Sequence, residues 1–268
     1  MSYNYDGDRF VIDTMTWSFS RLNSFGNCPY EWRSNYIDKK PQRDNFFAQF
    51  GSLNHGILED YAKGKLTLFD LSAAYENRFP ETVTEPAPWT KTGDLLDVYY
   101  EKGKDYFDNI DLDLDNYDVL GVEKKVSFEI DGIPMIGFID LLLKNKDTGE
   151  ITILDHKSGS LKFKKNGELS KSKDNIAHIT EFKRQLYLYS VAIMEEYGRV
   201  DYLEWNLFKD RKHYKIPWSK KEFEESKSWA VKTVKKIQEE KDWAANIDNK
   251  YYCINLCSQR SDCPYKGG

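Results

Sequence analysis

Two charged side chains near the middle of the chain are separated by a single residue. Asp155 and Lys157 flank His156 and follow the mostly apolar run 151–154. Side chains alternate between the two faces of a β-strand, so Asp155 and Lys157 point the same way and His156 points to the opposite face. The spacing therefore predicts a carboxylate and an ammonium group side by side at a strand end, and it argues against a direct catalytic role for His156.

A second carboxylate is expected beside this pair. Asp140 lies in the apolar segment 137–143, and the turn signal at residues 147–149 (Asp-Thr-Gly) folds the next strand back toward it. Burying an unpaired carboxylate in such a segment is costly, and a bound metal ion would remove that cost. Asp140, Asp155 and Lys157 are therefore predicted to converge at adjacent strand ends.

This combination of residue types suits the hydrolysis of a phosphodiester. The reaction needs a positioned water, a counter to the negative charge of the transition state and help for the leaving oxygen. Hard divalent ions such as Mg²⁺ or Mn²⁺ choose oxygen ligands, so Asp140 and Asp155 would hold the ion, and Lys157 would orient the water or neutralise the phosphate. The alternative is that the aspartates are ordinary strand-end residues and the lysine is solvated, as charged side chains usually are.

The elements that would position these residues are β-strands in the middle of the chain. Residues 119–130, 133–143 and 151–155 are rich in β-formers, and the turn signals Asp131-Gly132 and 147–149 separate them. This pattern predicts a three-stranded antiparallel meander.

Helical periodicity dominates the rest of the chain. A helix capped by Ser18 or Ser20 is expected to run to Phe25, and a further strand is expected at residues 202–208. The other segments with helical spacing are residues 50–61, 89–107, 179–197 and 219–245. The predicted class is α/β or α+β, with a small sheet flanked by helices.

The chain shows no internal repeat and no long low-complexity linker, so a single domain over residues 1–268 is predicted. We expect a helical N-terminal part over residues 1–110 and a catalytic core over residues 111–210. Residues 211–268 would form the C-terminal helix and a cysteine-rich tail.

Composition narrows the classes of function. The hydrophobic content of 40% suffices for a real core, which excludes a disordered chain, and the net charge of −5 argues against a purely electrostatic nucleic-acid binder. Residues 1–15 lack the pattern of a signal peptide and no apolar run is long enough to span a membrane, so an intracellular protein without membrane contact is expected.

Four cysteines form a separate pattern. Cys253, Cys257 and Cys263 lie within eleven residues near the C-terminus, and Cys28 lies far away beside Pro29. In an intracellular protein such cysteines indicate a soft-metal site rather than disulfides, because three clustered thiolates and a distant one can complete a four-ligand set. A structural Zn²⁺ bound by four cysteines, or unligated thiols, are the alternatives.

Taken together, the order and spacing of several short segments resemble the RecB-like nucleases of the PD-(D/E)xK superfamily. That group includes AddB nuclease domains and CRISPR-associated four-cysteine exonucleases. The matching segments are Ser20-Arg21-Leu22, Phe25-Gly26-Asn27-Cys28-Pro29, Gly51-Ser52-Leu53-Asn54-His55, Gly137-Phe138-Ile139-Asp140, Asp155-His156-Lys157, Gln185-Leu186-Tyr187-Leu188-Tyr189 and the three C-terminal cysteines.

The resemblance implies a restriction-endonuclease-like core and assigns roles to particular residues. His55, Asp140 and Asp155 would be metal ligands or neighbours of the metal, and Lys157 would be the catalytic lysine. Gln185 and Tyr189 would face DNA beside the site, and their spacing of four residues does place them on one side of a helix.

For the cysteines, the resemblance implies a [4Fe–4S] cluster held by Cys28, Cys253, Cys257 and Cys263. Three residues separate Cys253 from Cys257 where the family commonly has two. Glu123, on the first predicted strand, is expected to pair with Lys125 or Lys144 rather than to join the site.

The resulting functional hypothesis is a Mg²⁺- or Mn²⁺-dependent DNA exonuclease that acts on single-stranded ends. Its setting would be recombination, repair or phage replication in the cytoplasm of a bacterium or a phage-infected host cell, with a helicase or recombination protein as a possible partner. The alternatives are a structure-specific endonuclease of the same superfamily and a catalytically silent DNA-binding or nuclease-inhibitor module.

Overall fold

A long β-hairpin carries one side of the sheet. In the computed structural model, which describes residues 5–89 and 94–265, β1 is Tyr117–Ile130 and β2 is Ile133–Asn145. Asp131 and Gly132 join them with φ values of 50° and 77°, the left-handed conformation that a two-residue type I′ turn requires. The predicted hairpin is confirmed, and its register pairs Ile130 with Ile133 at the turn.

The hairpin continues into a mixed sheet of five strands. The remaining strands are β3 (Ile151–His156), β4 (Tyr202–Leu207) and β5 (Lys212–Pro217), and the sheet order is β1-β2-β3-β4-β5. Strand β3 pairs antiparallel with β2 and parallel with β4, whereas β4 and β5 are antiparallel. The predicted meander is therefore its first three strands. A parallel β3–β4 pair needs a crossover connection, which a helix supplies.

Eight α-helices surround the sheet in the described part of the chain. They are α1 (Tyr5–Asp13), α2 (Phe19–Asn27), α3 (Pro29–Tyr36), α4 (Phe46–Ala62), α5 (Leu71–Thr82), α6 (Leu95–Asp108), α7 (Lys173–Tyr197) and α8 (Lys220–Glu239). Helix α7 is the crossover between β3 and β4. None of the described helices has the length and apolar character that crossing a membrane requires.

Capping side chains explain where several helices begin. Ser18 accepts a hydrogen bond from the backbone of Arg21 and starts α2, as one of the two predicted caps. Asn45 starts α4 four residues before the predicted helix. The helix predicted at 89–107 begins at Leu95 because Asp94 caps it, and residues 90–93 of that segment lie outside the described residues.

Two hydrophobic cores lie on opposite faces of the sheet. Ile153 packs into a core with residues of α2, α7 and α8, whereas the adjacent Leu154 packs into a core with residues of α4, α5 and α6. Adjacent side chains of a strand point to opposite faces, so a strand covered on both sides is mostly apolar, as residues 151–154 are. All six residues of β3 are buried, and the predicted sheet flanked by helices is confirmed.

Candidate active site

The end of β3 carries a closed set of polar contacts. Lys157 Nζ lies 2.8 Å from Asp155 Oδ2 and donates a 2.7 Å hydrogen bond to Gln185 Oε1. Gln185 Nε2 in turn donates a 2.9 Å hydrogen bond to Asp155 Oδ1. The predicted Asp155 and Lys157 pair thus lies together, and a glutamine of α7 orients both members.

Asp140 of β2 reaches the same region from the neighbouring strand. Its Oδ2 accepts a 2.7 Å hydrogen bond from the backbone N–H of His156 and lies 3.3 Å from His55 Nδ1. Because β2 and β3 pair with Leu141 opposite Leu154, Asp140 lies just beyond the last paired residues. The structure therefore brings Asp140, His55 and the Asp155 strand together, as predicted from the sequence.

A third acidic residue joins this group, and the sequence interpretation of it was wrong. One ligand atom each of His55, Glu123 and Asp140 lies within 4.8 Å of the other two. Glu123 occupies β1 between Val122 and Lys124, whose partners on β2 flank Asp140. Glu123 therefore lies in the site and not beside the expected cross-strand partners Lys125 and Lys144. The sequence signal for this was Asp140, which the register of the hairpin places opposite Glu123.

The backbone of Glu123 is strained. Its φ of 49° lies in the left-handed region, which a non-glycine residue occupies at a cost of about 1–3 kcal/mol. Residues in this conformation cluster at functional sites, where surrounding structure holds them in place. The strain turns the Glu123 carboxylate toward His55 rather than along the regular alternation of the strand.

Burial and mutual repulsion set the electrostatics of the site. Burial, and after it the charge of Asp155, raises the pKa of Asp140 well above its ordinary value. Burial also raises the pKa of Glu123, with Glu59 as the next cause, and burial lowers the pKa of His55. Each of these pKa shifts disfavours the charged form of the side chain. Such shifts are expected where no cation compensates the buried charges.

These residues fit a hard divalent cation. Asp155 Oδ2 is buried and, apart from the Lys157 contact, has no hydrogen bond of acceptable geometry. Carboxylate oxygens and an imidazole nitrogen are donors that Mg²⁺ or Mn²⁺ accepts, and a cation would offset the repulsion among them. Asp155 was expected among the ligands; in the structure its carboxylate contacts Lys157 beside the group of His55, Glu123 and Asp140, and its ligand role stays a prediction.

The two residues expected to face DNA differ in position. Gln185 is partly buried and binds Asp155 and Lys157, so it lies beside the site. Tyr189 is only 6% exposed, and its ring lies against Gly137 of β2, so it is unavailable for contact with DNA. Tyr189 was expected to face DNA, but in the structure it packs against the sheet. The side of α7 that carries both Tyr189 and Gln185 lies on the sheet.

His156 points away from the predicted catalytic pair. It is 3% exposed, and its Nδ1 lies 3.0 Å from the side-chain amide of Asn206. Burial holds the pKa of His156 well below its ordinary value, so the ring is neutral. Only its backbone N–H serves the site, through Asp140.

The four cysteines line one cavity. This cavity, of about 210 Å³, is formed by Cys28, Cys253, Cys257 and Cys263 together with mostly apolar and aromatic side chains. Cys28 caps α3 and Pro29 is its first residue, which fixes the distant cysteine at a helix start. Burial raises the pKa of Cys257 to about 12, so its thiol is uncharged without a bound cation.

Hydrogen bonds hold the C-terminal cysteine tail against α3. Glu31 is 4% exposed and accepts bonds from the backbone N–H and the hydroxyl of Ser258 and from the hydroxyl of Tyr252. Gln259 donates a 2.8 Å hydrogen bond to Asn35. These contacts bring the distant Cys28 and the three C-terminal cysteines to the same place.

Comparison with known proteins gives one family. The model of the PD-(D/E)XK nuclease superfamily matches residues 16–267, and no curated protein matches the chain.

Among solved structures, a candidate exonuclease from Eubacterium rectale shares 12% identity, with 88% of this chain and 84% of its own covered at a TM-score of 0.48. The protein named SSO0001 shares 14% identity, with 97% of this chain and 94% of its own covered at a TM-score of 0.34.

Proposed function

We propose, on the premise that this chain belongs to the PD-(D/E)XK nuclease superfamily, that it is a metal-dependent DNA exonuclease acting on single-stranded ends. The observation that carries the proposal is the convergence of His55, Glu123 and Asp140 beside the contact between Asp155 and Lys157. A Mg²⁺ or Mn²⁺ ion held there would lower the pKa of a bound water and neutralise charge on the phosphate.

The side chains divide the remaining work. Asp140, Asp155, His55 and Glu123 would hold the ion, and the Lys157 ammonium would face the scissile phosphate or its attacking water. Gln185 accepts from Lys157 and donates to Asp155, so it fixes the ammonium and the carboxylate relative to one another. Such orientation matters because small displacements of reacting groups cost large factors in rate.

Accessibility supports action on a single strand. The Lys157 side chain is 21% exposed and that of His55 31%, so solvent reaches both side chains of the site. The net charge of −5 supplies no broad positive surface for a duplex. A structure-specific endonuclease would need a further element for recognition of its substrate. The setting of an exonuclease would be recombination, repair or phage replication, with a helicase or recombination protein as its partner.

The active-site assignment is tested by conservative variants. Asp140→Asn, Asp155→Asn and Lys157→Gln should each abolish metal-dependent release of nucleotides from end-labelled single strands, because each removes a charge and leaves a polar side chain in its place. Asp147→Asn and Lys144→Gln are matched controls, since both side chains are exposed near the β2–β3 turn. Full activity in any of the three site variants would refute the assignment.

We further propose that the cysteine cavity holds a [4Fe–4S] cluster. In a tetrahedral zinc site, a Zn–S distance of ~2.3 Å places the sulfur atoms about 3.8 Å apart. Among the described residues, no three of the cysteines have sulfur atoms within 4.8 Å of one another. A larger inorganic group therefore suits the arrangement of Cys28, Cys253, Cys257 and Cys263 better than a single zinc ion does.

A further inference from the structure

One large aromatic side chain near the candidate active site is half exposed to solvent. Phe138 is 51% exposed, although it lies in the middle of β2. Its neighbours Gly137 and Ile139 are buried on the face of the sheet covered by α7, so Phe138 points to the other face, the side from which α4 brings His55 to Asp140, two residues further along. An exposed phenylalanine next to a metal-binding carboxylate is a surface available to a ligand.

A positive charge accompanies this ring. Lys125 of β1 is the register partner of Phe138 and is exposed. Within residues 5–89 and 94–265, no carboxylate forms an ion pair with Lys125. An aromatic face and an available ammonium group, placed side by side, are the two elements that grip an unpaired nucleic-acid strand: the ring stacks on a base and the cation meets a phosphate.

The spacing along β2 relates this surface to the site of cleavage. Two residues of an extended strand span about 7 Å, which separates the Cα atoms of Phe138 and Asp140. Bases stacked at ~3.4 Å per step cover the same length in about two steps. A strand whose phosphate lies at the metal group would therefore bring a base within one or two nucleotides of that phosphate onto the Phe138 ring.

We propose that Phe138 is the stacking platform that positions the DNA strand for cleavage, which rests on the proposed exonuclease function. It stacks on one unpaired base within two nucleotides of the scissile phosphate, and Lys125 contacts the adjoining backbone. Because every base has an aromatic face, this contact favours unpaired strands without selecting a sequence. A base inside a duplex is already stacked on its neighbours, so the platform selects single strands or frayed ends.

Affinity measurements test the platform directly. Binding of a fluorescent single-stranded oligonucleotide is measured by anisotropy with Mg²⁺ in the Lys157→Gln background, which prevents turnover. Phe138→Ala should weaken binding roughly 5- to 150-fold, the range expected for one lost base stack, and Phe138→Trp should retain it. Phe69→Ala is the matched control, because Phe69 is 96% exposed in the α4–α5 connection. Equal affinity of Phe138→Ala and its background protein would overturn the proposal.

A single abasic site moved along the oligonucleotide separates stacking from general disturbance of the fold. With Phe138 present, affinity should fall most when the missing base is the one over the ring, and Phe138→Ala should remove that dependence on position. Loss of affinity that is independent of the abasic position would overturn the proposal. If the wild-type protein cleaves DNA and Phe138→Ala does not change binding, the platform alone is refuted. If the wild-type protein neither binds nor cleaves DNA, the proposed function is refuted as well.

Discussion

The contact between Gly137 and Tyr189 links the packing of the sheet to the candidate active site. A Cβ atom added to Gly137 would lie 2.2 Å from Cε1 of Tyr189, where carbon atoms normally approach to about 3.5–4.0 Å. The Tyr189 ring is 6% exposed, so it has little free space to move into. Gly137→Ala should therefore displace α7, which also carries Gln185 one turn earlier.

The expected loss of stability follows from overpacking. Forcing an extra methyl group into a packed core costs about 1–3 kcal/mol. Replacing a strand glycine returns about 0.5–1 kcal/mol of backbone entropy, so a net loss of about 0.5–2 kcal/mol is expected. With an unfolding entropy of roughly 0.56 kcal/mol/K for 268 residues, Tm should fall by about 1–4 °C.

The effect on activity should exceed the effect on stability. A displacement near 1 Å of Gln185 would misalign Lys157 and Asp155, and misplacements of that size cost on the order of 100-fold in rate. Nuclease activity is measured well below Tm, together with thermal unfolding. Gly103→Ala is the control: a Cβ added to Gly103 of α6 would lie 2.2 Å from the hydroxyl of Tyr75 in α5, so a clash of similar severity arises between two other helices.

A second variant checks the mechanism of this effect. Tyr189→Leu in the Gly137→Ala background removes the ring atoms that clash and should recover part of the lost stability. The reasoning is refuted if Gly137→Ala retains the stability and the activity of the wild type. It is also refuted if Gly103→Ala loses as much activity as Gly137→Ala, because the loss would then reflect general destabilisation.

Three further predictions address charge, substrate ends and the cysteine cavity. The raised pKa of Asp140, due to burial and then Asp155, means that the metal-free protein loses stability as pH rises through that pKa. Asp140→Asn should accordingly raise Tm in EDTA at pH 8 and not at acidic pH, as thermal unfolding would show; the opposite pH trend would contradict it. Linear single strands should be degraded much faster than covalently closed single-stranded circles in a gel assay, and rapid cutting of circles would favour an endonuclease. Anaerobically purified protein should be brown with about four irons per chain by iron assay, and Cys28→Ser should lose the colour as completely as Cys257→Ser. A colourless protein with one zinc would refute the cluster and leave the nuclease proposal standing.

The acidic side chains of the candidate site repel one another, and a bound cation would offset that repulsion. Glu123 occupies a strained backbone conformation, and burial disfavours the charged forms of Glu123 and Asp140. Such arrangements lower the stability of the metal-free fold, and they are retained where function requires them. The change in Tm expected for Asp140→Asn measures the part of that loss of stability that comes from the Asp140 charge.

Local features of the sequence were enough to predict the strands and the central pair of the site. The Asp131-Gly132 turn and the β-rich runs around it determine the hairpin, because a type I′ turn tolerates few other residues. The alternation of side chains along a strand places Asp155 and Lys157 on one side irrespective of what surrounds them. The first residues of the helices were predicted less accurately from the sequence, because the caps Asn45 and Asp94 act through single hydrogen bonds.

Only the tertiary structure decided which other side chains meet that pair. Glu123 joins His55 because β1 pairs with β2 in one particular register and its backbone is locally left-handed, and neither fact is visible in residue types. Tyr189 shares a helix face with Gln185, yet the approach of α7 to Gly137 buries it. Periodicity determines which side chains share a face, whereas the packing of one element against another determines whether that face meets solvent, a ligand or the core.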